Sequence, residues 1–283
     1  MPVTRSEISA SASALLAEGY EIYIASNRAV LDRLDTTPFG LPCTAVDFLA
    51  TGVLAWQPDG FMRVYNRLNA LCFGTNGIAM EYWVMIDLGL LSSAFVLIAL
   101  PRERLVQLPE SPEVSSSRRA ELAGHVAQLI AEADERGFDG PIPVAGYCAA
   151  PTPEQGRWVG WSLCSVVPGL GTIAKGLALE VYGASTLVGV TQYDNPALHV
   201  HRKFGPMRLL SAVLDLHPRE FTFVYHTDVY GPETEQLPTT LMDSRDRDRQ
   251  RELQAKIDAG EHTVQILWPG LDRDGRVPIF EAA

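Results

Sequence analysis

Apolar and polar positions alternate most regularly in the third quarter of the chain. From residue 175, Leu177, Leu179 and Val181 alternate with Gly176, Ala178, Glu180 and Tyr182, a period of two that predicts a strand over 175–182. Turn signals then recur at Gly183-Ala184-Ser185, Asp194-Asn195-Pro196, Gly205-Pro206 and His217-Pro218. They delimit further strands at 186–193, 198–204, 207–216 and 221–229. Five strands with short connections predict an antiparallel β-meander that closes into a barrel or a double-layer sheet, with flanking helices: an α+β fold.

Upstream, the pattern predicts a helix up to residue 16, a strand over 20–25, a helix over 27–34 and a Pro/Gly loop through Pro42. Residues 61–73 carry apolar positions at helical spacing, ending at Gly74 and an Asn76-Gly77 turn. The nearly continuous apolar run 82–100 has the length of a membrane span, but Asp87, Gly89, Ser92 and Ser93 interrupt it. It is read instead as a hairpin of two buried strands, 79–87 and 94–100. A helix over 118–136 places Leu122, Val126, Leu129, Ile130 and Ala133 on one face and stops at Gly137. Strands are expected at 143–149 and 157–167, a charged helix at 243–259 and a last strand at 262–268. The expectation is one domain over 1–283, with a mixed N-terminal region (1–75), a β-rich core (79–235) and a helix-strand tail (243–283).

Composition narrows the function classes. Apolar residues make up 47% of the 283 residues and charged residues 20%, an ordinary globular balance. The net charge of −11 disfavours a nucleic-acid or anionic-membrane partner. Cys43, Cys72, Cys148 and Cys164 lie far apart with no metal-ligand spacing, and are read as reduced, mostly buried thiols. The expected setting is cytoplasmic, with a small-molecule substrate, no metal, and homo-oligomerisation left open.

Only Lys175, Lys203 and Lys256 are lysines. In the alternation, Lys175 shares the parity of Leu177, Leu179 and Val181, so its amine is expected in the interior. Burial lowers an amine's pKa and makes it nucleophilic near neutrality, and such an amine forms Schiff bases with ketones or aldehydes. The bland alternative is a strand-end lysine reaching solvent. His199 and His201, on one face of the 198–204 strand, are candidate proton carriers, and Glu81 and Asp87 are candidate acid/base groups. Arg157, Arg202 and Arg208 are candidate partners for an anionic substrate. Tyr147 and Trp161 are candidate pocket-wall aromatics, with core packing as the plainer reading.

The segment Gly171-Thr172-Ile173-Ala174-Lys175-Gly176-Leu177-Ala178, followed by Thr186-Leu187-Val188-Gly189 and Phe204-Gly205, resembles the acetoacetate decarboxylase superfamily. The resemblance implies a Schiff-base lyase, a decarboxylase or aldolase-dehydratase, acting on a small oxo acid through Lys175 and needing no cofactor. Ala174 and Gly176 depart from that family's Pro and second Lys, and its catalytic Glu has no match after Tyr147. The same region also resembles GCN5-related N-acetyltransferases. There Gly169, Gly171, Thr172 and Ala174, in a loop over 167–174, would hold the pyrophosphate of acetyl-CoA or another acyl-CoA at a helix start. Residues 194–205 would then be a later helix, with Asn195 as cap and His201 as general acid. A non-catalytic small-molecule-binding barrel is the third reading.

Overall fold

The computed structural model describes residues 2–48, 56–74, 79–112, 114–232, 236–260 and 262–282, with the side chains of 56–58 left aside. The Asn76-Gly77 turn expected from the sequence lies outside them. The chain forms two compact units, Ile8–Ala150 with Ser162–Gly183, and Met1–Glu7 with Pro151–Trp161 and Ala184–Ala283. They are called here the N-terminal and C-terminal units.

Most of α1 (Arg5–Ala17) lies in the N-terminal unit, followed by β1 (Glu21–Ser26), α2 (Arg28–Leu31), β2 (Thr44–Asp47), α3 (Trp56–Phe73), α4 (Tyr82–Leu90) and β3 (Ala94–Leu100). Then come α5 (Arg102–Gln107), α6 (Ser116–Glu135), β4 (Ile142–Pro151), the second half of β5 (Arg157–Ser165) and α7 (Leu170–Val181). Its strands run β2-β1-β3-β4, with β1 and β2 parallel and the other two pairings antiparallel. Every residue of β3 is buried, as expected of a strand covered on both faces.

The C-terminal unit contains the first half of β5, then β6 (Thr186–Gln192), α8 (Leu198–Arg202), β7 (Met207–Ser211), β8 (Thr222–Asp228), β9 (Thr240–Asp243), α9 (Arg247–Asp258), β10 (Thr263–Ile266) and β11 (Arg276–Ala282). Its strands run β5-β6-β8-β7-β10-β11-β9. Tyr193, Phe223, Tyr225, Leu253 and Ile279 belong to its core. The fold is thus mixed α and β with flanking helices. Among the described residues the end strands of each unit do not pair with each other, so neither unit closes into the expected barrel. No helix among them is long and apolar enough to cross a membrane.

Three sequence expectations are corrected. Residues 175–182 belong to helix α7 and its cap, and β5 pairs with β6 in parallel, Arg157–Val159 against Thr186–Val188. The connection is therefore a β-α-β crossover and not a meander turn. The misleading alternation has a physical origin: α7 is buried on nearly every side, so a strand period and a helix period both fit its apolar positions. Gly176 suits the helix because a Cβ there would lie 2.7 Å from an Ile8 carbon of α1.

Residues 198–204 are not a strand either. Asn195 Oδ1 accepts the Ala197 amide at 2.9 Å, which starts the turn leading into α8 with Leu198 and Arg202 on its buried side. The first half of the apolar run is helix α4, with Trp83 and Leu90 exposed; only its second half, β3, is a strand.

Candidate functional site

At the end of β5 the chain keeps a strand-like contact one residue beyond the ladder, where the Val166 amide donates to Val144 O at 3.1 Å. It then turns through Val167, Pro168 and Gly169. Ser165 Oγ closes the turn by donating to Val167 O at 2.6 Å. Gly169 has φ of 85° at the start of α7, a left-handed conformation that glycine adopts at little cost. Pro168 and Gly169 are exposed, and the next residues, Leu170, Gly171 and Thr172, are buried. The dipole of a helix favours an anion at its start, while in α7 the Leu170 and Thr172 amides already donate to Val167 O at 3.4 Å and Gly169 O at 3.0 Å. Gly169, Gly171, Thr172 and Ala174, singled out in the sequence, therefore stand in one loop and helix start.

One turn further, Lys175 is wholly buried, its amine 5.6 Å from the centroid of the Tyr147 ring. Burial brings its pKa down to about 7. The structure thus brings together two of the predicted residues, Lys175 and Tyr147, on the buried side of α7. Tyr182 Oη, near the helix end, donates to Ala94 O of β3 at 2.7 Å and fixes α7 against the sheet.

Behind the loop lies a polar seam that sequence reasoning missed. Tyr65, Asn69 and Cys72 fall at i, i+4 and i+7 on α3, hence on one face. Asn69 Nδ2 donates to Ser162 Oγ at 2.9 Å, and its Oδ1 accepts the Met80 amide at 2.7 Å. The Cys164 thiol lies 3.7 Å from Tyr65 Oη and 3.9 Å from Gly146 O. Burial pushes that thiol well up and keeps it protonated. Cys72 moves the other way, lowered by hydrogen bonds from Cys164 and from the Ser165 backbone. The available signals were the helical spacing on α3 and the shared parity of Ser162 and Cys164 on β5. All four cysteines are free, and Cys148 and Cys164 are the buried pair among them.

The remaining predicted residues are elsewhere in the fold. Glu81 is an exposed N-cap of α4 whose side chain makes no capping bond, and Asp87 is exposed on the same helix. Arg157 is ion-paired with Glu154 at 2.8 Å, and Trp161 is 54% exposed. Arg208 lies 3.3 Å from His226 Nδ1. His199 and His201 do not share a face, since two residues apart on a helix they diverge by about 200°; the His201 ring sits 5.7 Å from that of Tyr225. Arg202 is 1% exposed and donates to Ile266 O and Gly205 O, each at 2.8 Å. It bolts α8 to β10 and has no substrate-facing geometry.

Among the described residues no group of three His, Cys, Asp or Glu is placed to hold a metal ion. A scan of the chain against protein-family models found no match, and a search of curated proteins found none either.

Proposed function

We propose that the chain is an acyl-CoA-dependent N-acyltransferase of the GCN5-related kind, in which loop 167–174 takes the cofactor pyrophosphate. The observation that carries this reading is the strand-loop-helix segment β5-(166–169)-α7. It follows a strand with a turn through a glycine of positive φ and opens a helix whose dipole favours an anion at its start. The parallel return of the chain into β6 supports it further. The four free cysteines suit the reducing cytoplasmic setting that the proposal includes.

Titration with CoA tests it. The full-length protein is expected to bind CoA saturably and to melt at a higher temperature in its presence. Gly169→Asp adds a negative charge at an exposed position with no atom near its Cβ, at a cost in backbone strain at φ 85°. It is expected to weaken CoA binding at least tenfold, with Gly169→Ala, which carries the same backbone strain without the charge, binding more tightly than Gly169→Asp. Absence of saturable CoA binding removes the proposal.

A second reading, the Schiff-base lyase, keeps one specific observation in its favour: the buried Lys175 amine beside Tyr147, with a pKa near 7. Residues 170–181 are a helix and not the strand that the family resemblance implies, so this reading rests on that amine alone. Borohydride added with pyruvate is expected to leave a covalent adduct on Lys175 under this reading. An unchanged intact mass with every oxo acid tried eliminates it.

A further inference from the structure

The C-terminal unit contains a cavity of about 220 Å³ lined by the connection between β7 and β8 and the start of α9, including His217, Arg219, Phe221, Thr222, Arg247 and Gln250. The cavity is smaller than the roughly 300 Å³ at which pockets for drug-sized ligands begin. Its walls are held by α9: Gln254 Oε1 accepts from Ser211 Oγ, the Ala212 amide and the Val213 amide at 3.0, 2.7 and 3.1 Å. Gln250, 1% exposed, donates to Ser244 O at 2.9 Å and anchors the base of the same helix.

The charges around the cavity are unevenly satisfied. Arg247 lies 3.4 Å from Asp215 and 3.3 Å from Glu220, and its guanidinium carbon is 5.3 Å from the Phe221 ring centroid. Both carboxylates are thereby engaged, and both are largely exposed to solvent. Arg219 differs. It is half-buried, its guanidinium donates to the neutral Gln192 Oε1 at 3.2 Å, and among the described residues it has no carboxylate partner. A guanidinium carries five N–H donors in a planar fork, so most of that fork is available to a ligand.

His217 adds to the donor side. Its Nδ1 accepts the Arg219 amide at 3.1 Å and lies 3.1 Å from Thr222 Oγ1. An Nδ1 that accepts a backbone N–H carries no proton in the neutral ring, so the proton is on Nε2, which is a donor.

We propose that this cavity is a binding site for a small oxyanion, the carboxylate or phosphate group of a metabolite of a few heavy atoms, held by the Arg219 fork and His217 Nε2–H. Such a fork matches two oxygens of either group at once. The site is independent of the CoA proposal, since none of its residues belongs to loop 167–174.

The test uses the full chain with inorganic phosphate and succinate as probes, titrated calorimetrically at constant ionic strength. Saturable binding of at least one probe is expected, weakened at least tenfold by Arg219→Gln and unchanged by Arg251→Gln, an exposed arginine of α9 outside the cavity. Arg219→Lys keeps the charge without the fork and is expected to fall between wild type and Arg219→Gln, which guards against a Gln variant that fails to fold. The His217 ring proton resonances are expected to shift during the titration. Binding of neither probe, binding that Arg219→Gln and Arg219→Lys leave unchanged, or a titration that leaves the His217 resonances still overturns the proposal.

Discussion

Replacing Lys175 with methionine should make the protein more stable, by an amount that shrinks as the pH rises. The amine titrates at about 7 in the folded chain against an ordinary value of 10.5, with burial as the cause. That gap of about 3.5 pH units corresponds to about 5 kcal/mol at about 1.4 kcal/mol per unit. Below pH 7 the lysine is protonated in both states and the native state carries the whole penalty. Between about 7 and 10.5 the unfolded chain binds a proton that the native chain does not, so native stability rises with pH. Above that window the group is neutral in both states and the penalty is gone. Methionine conserves length and removes the charge. Urea unfolding followed by circular dichroism at pH 6, 7, 8 and 9 is the assay. The variant is expected to lead by up to about 5 kcal/mol at pH 6, less whatever the native lysine gains from its contacts, and the lead is expected to narrow by about 3 kcal/mol at pH 9. A difference that stays constant with pH refutes the argument, because it would mean that the native amine does not titrate near neutrality.

Other predictions probe the packing around the site. Gly176→Ala gains about 1 kcal/mol of helix propensity but forces a Cβ to within 2.8 Å of three Ile8 carbons, so a net loss of about 1–2 kcal/mol is expected; in the Ile8→Ala background the same change should turn neutral or stabilising, read from a double-mutant cycle of urea midpoints. Arg202→Met leaves the Ile266 and Gly205 carbonyls without their charged donor and is expected to lower stability by about 3 kcal/mol or more, with a wild-type urea midpoint as the refuting result. Iodoacetamide at pH 7.5 is expected to modify Cys72 well before Cys148 and Cys164, because its thiol is lowered and part-exposed where theirs are raised and buried; peptide mapping that finds Cys148 modified first contradicts this.

The sequence was most legible where one face of an element meets solvent. Helix α6 was readable because Leu122, Val126, Leu129 and Ala133 are buried while their neighbours are exposed, and β1 because it ends at the Asn27 cap, whose side chain accepts the Val30 amide. Where an element is enclosed, period stops discriminating. Helix α7 has Leu170, Ala174, Leu177, Ala178 and Val181 at helical spacing, but Leu179 on the far side is buried as well, and that residue completes the false alternation. Edge strands failed for another reason: β2 and β9, short and half-exposed, carry too few apolar residues to register. The loop at 166–169 was visible through its glycines. The α3 seam was not, because Tyr65, Asn69 and Cys72 acquire meaning only from Ser162 and Cys164, which lie far away in sequence. The distant Gln192 hides Arg219 in the same way.

The division of the chain into two units has a consequence for its synthesis. Moving from the N-terminus, the polypeptide enters the C-terminal unit, leaves it at Ile8, re-enters at Pro151, leaves again at Ser162 and returns at Ala184. Strand β5 is cut by one of these crossings. The N-terminal unit has all its residues once position 183 has been made. The C-terminal unit must wait for β11, and its early strand residues 157–159 precede the β6 residues with which they pair. Vectorial folding should therefore proceed with one unit formed and the other open. A single break after position 183 leaves every residue of the N-terminal unit on one fragment, whereas no single break does so for the C-terminal unit, whose segments flank and interrupt its neighbour in sequence.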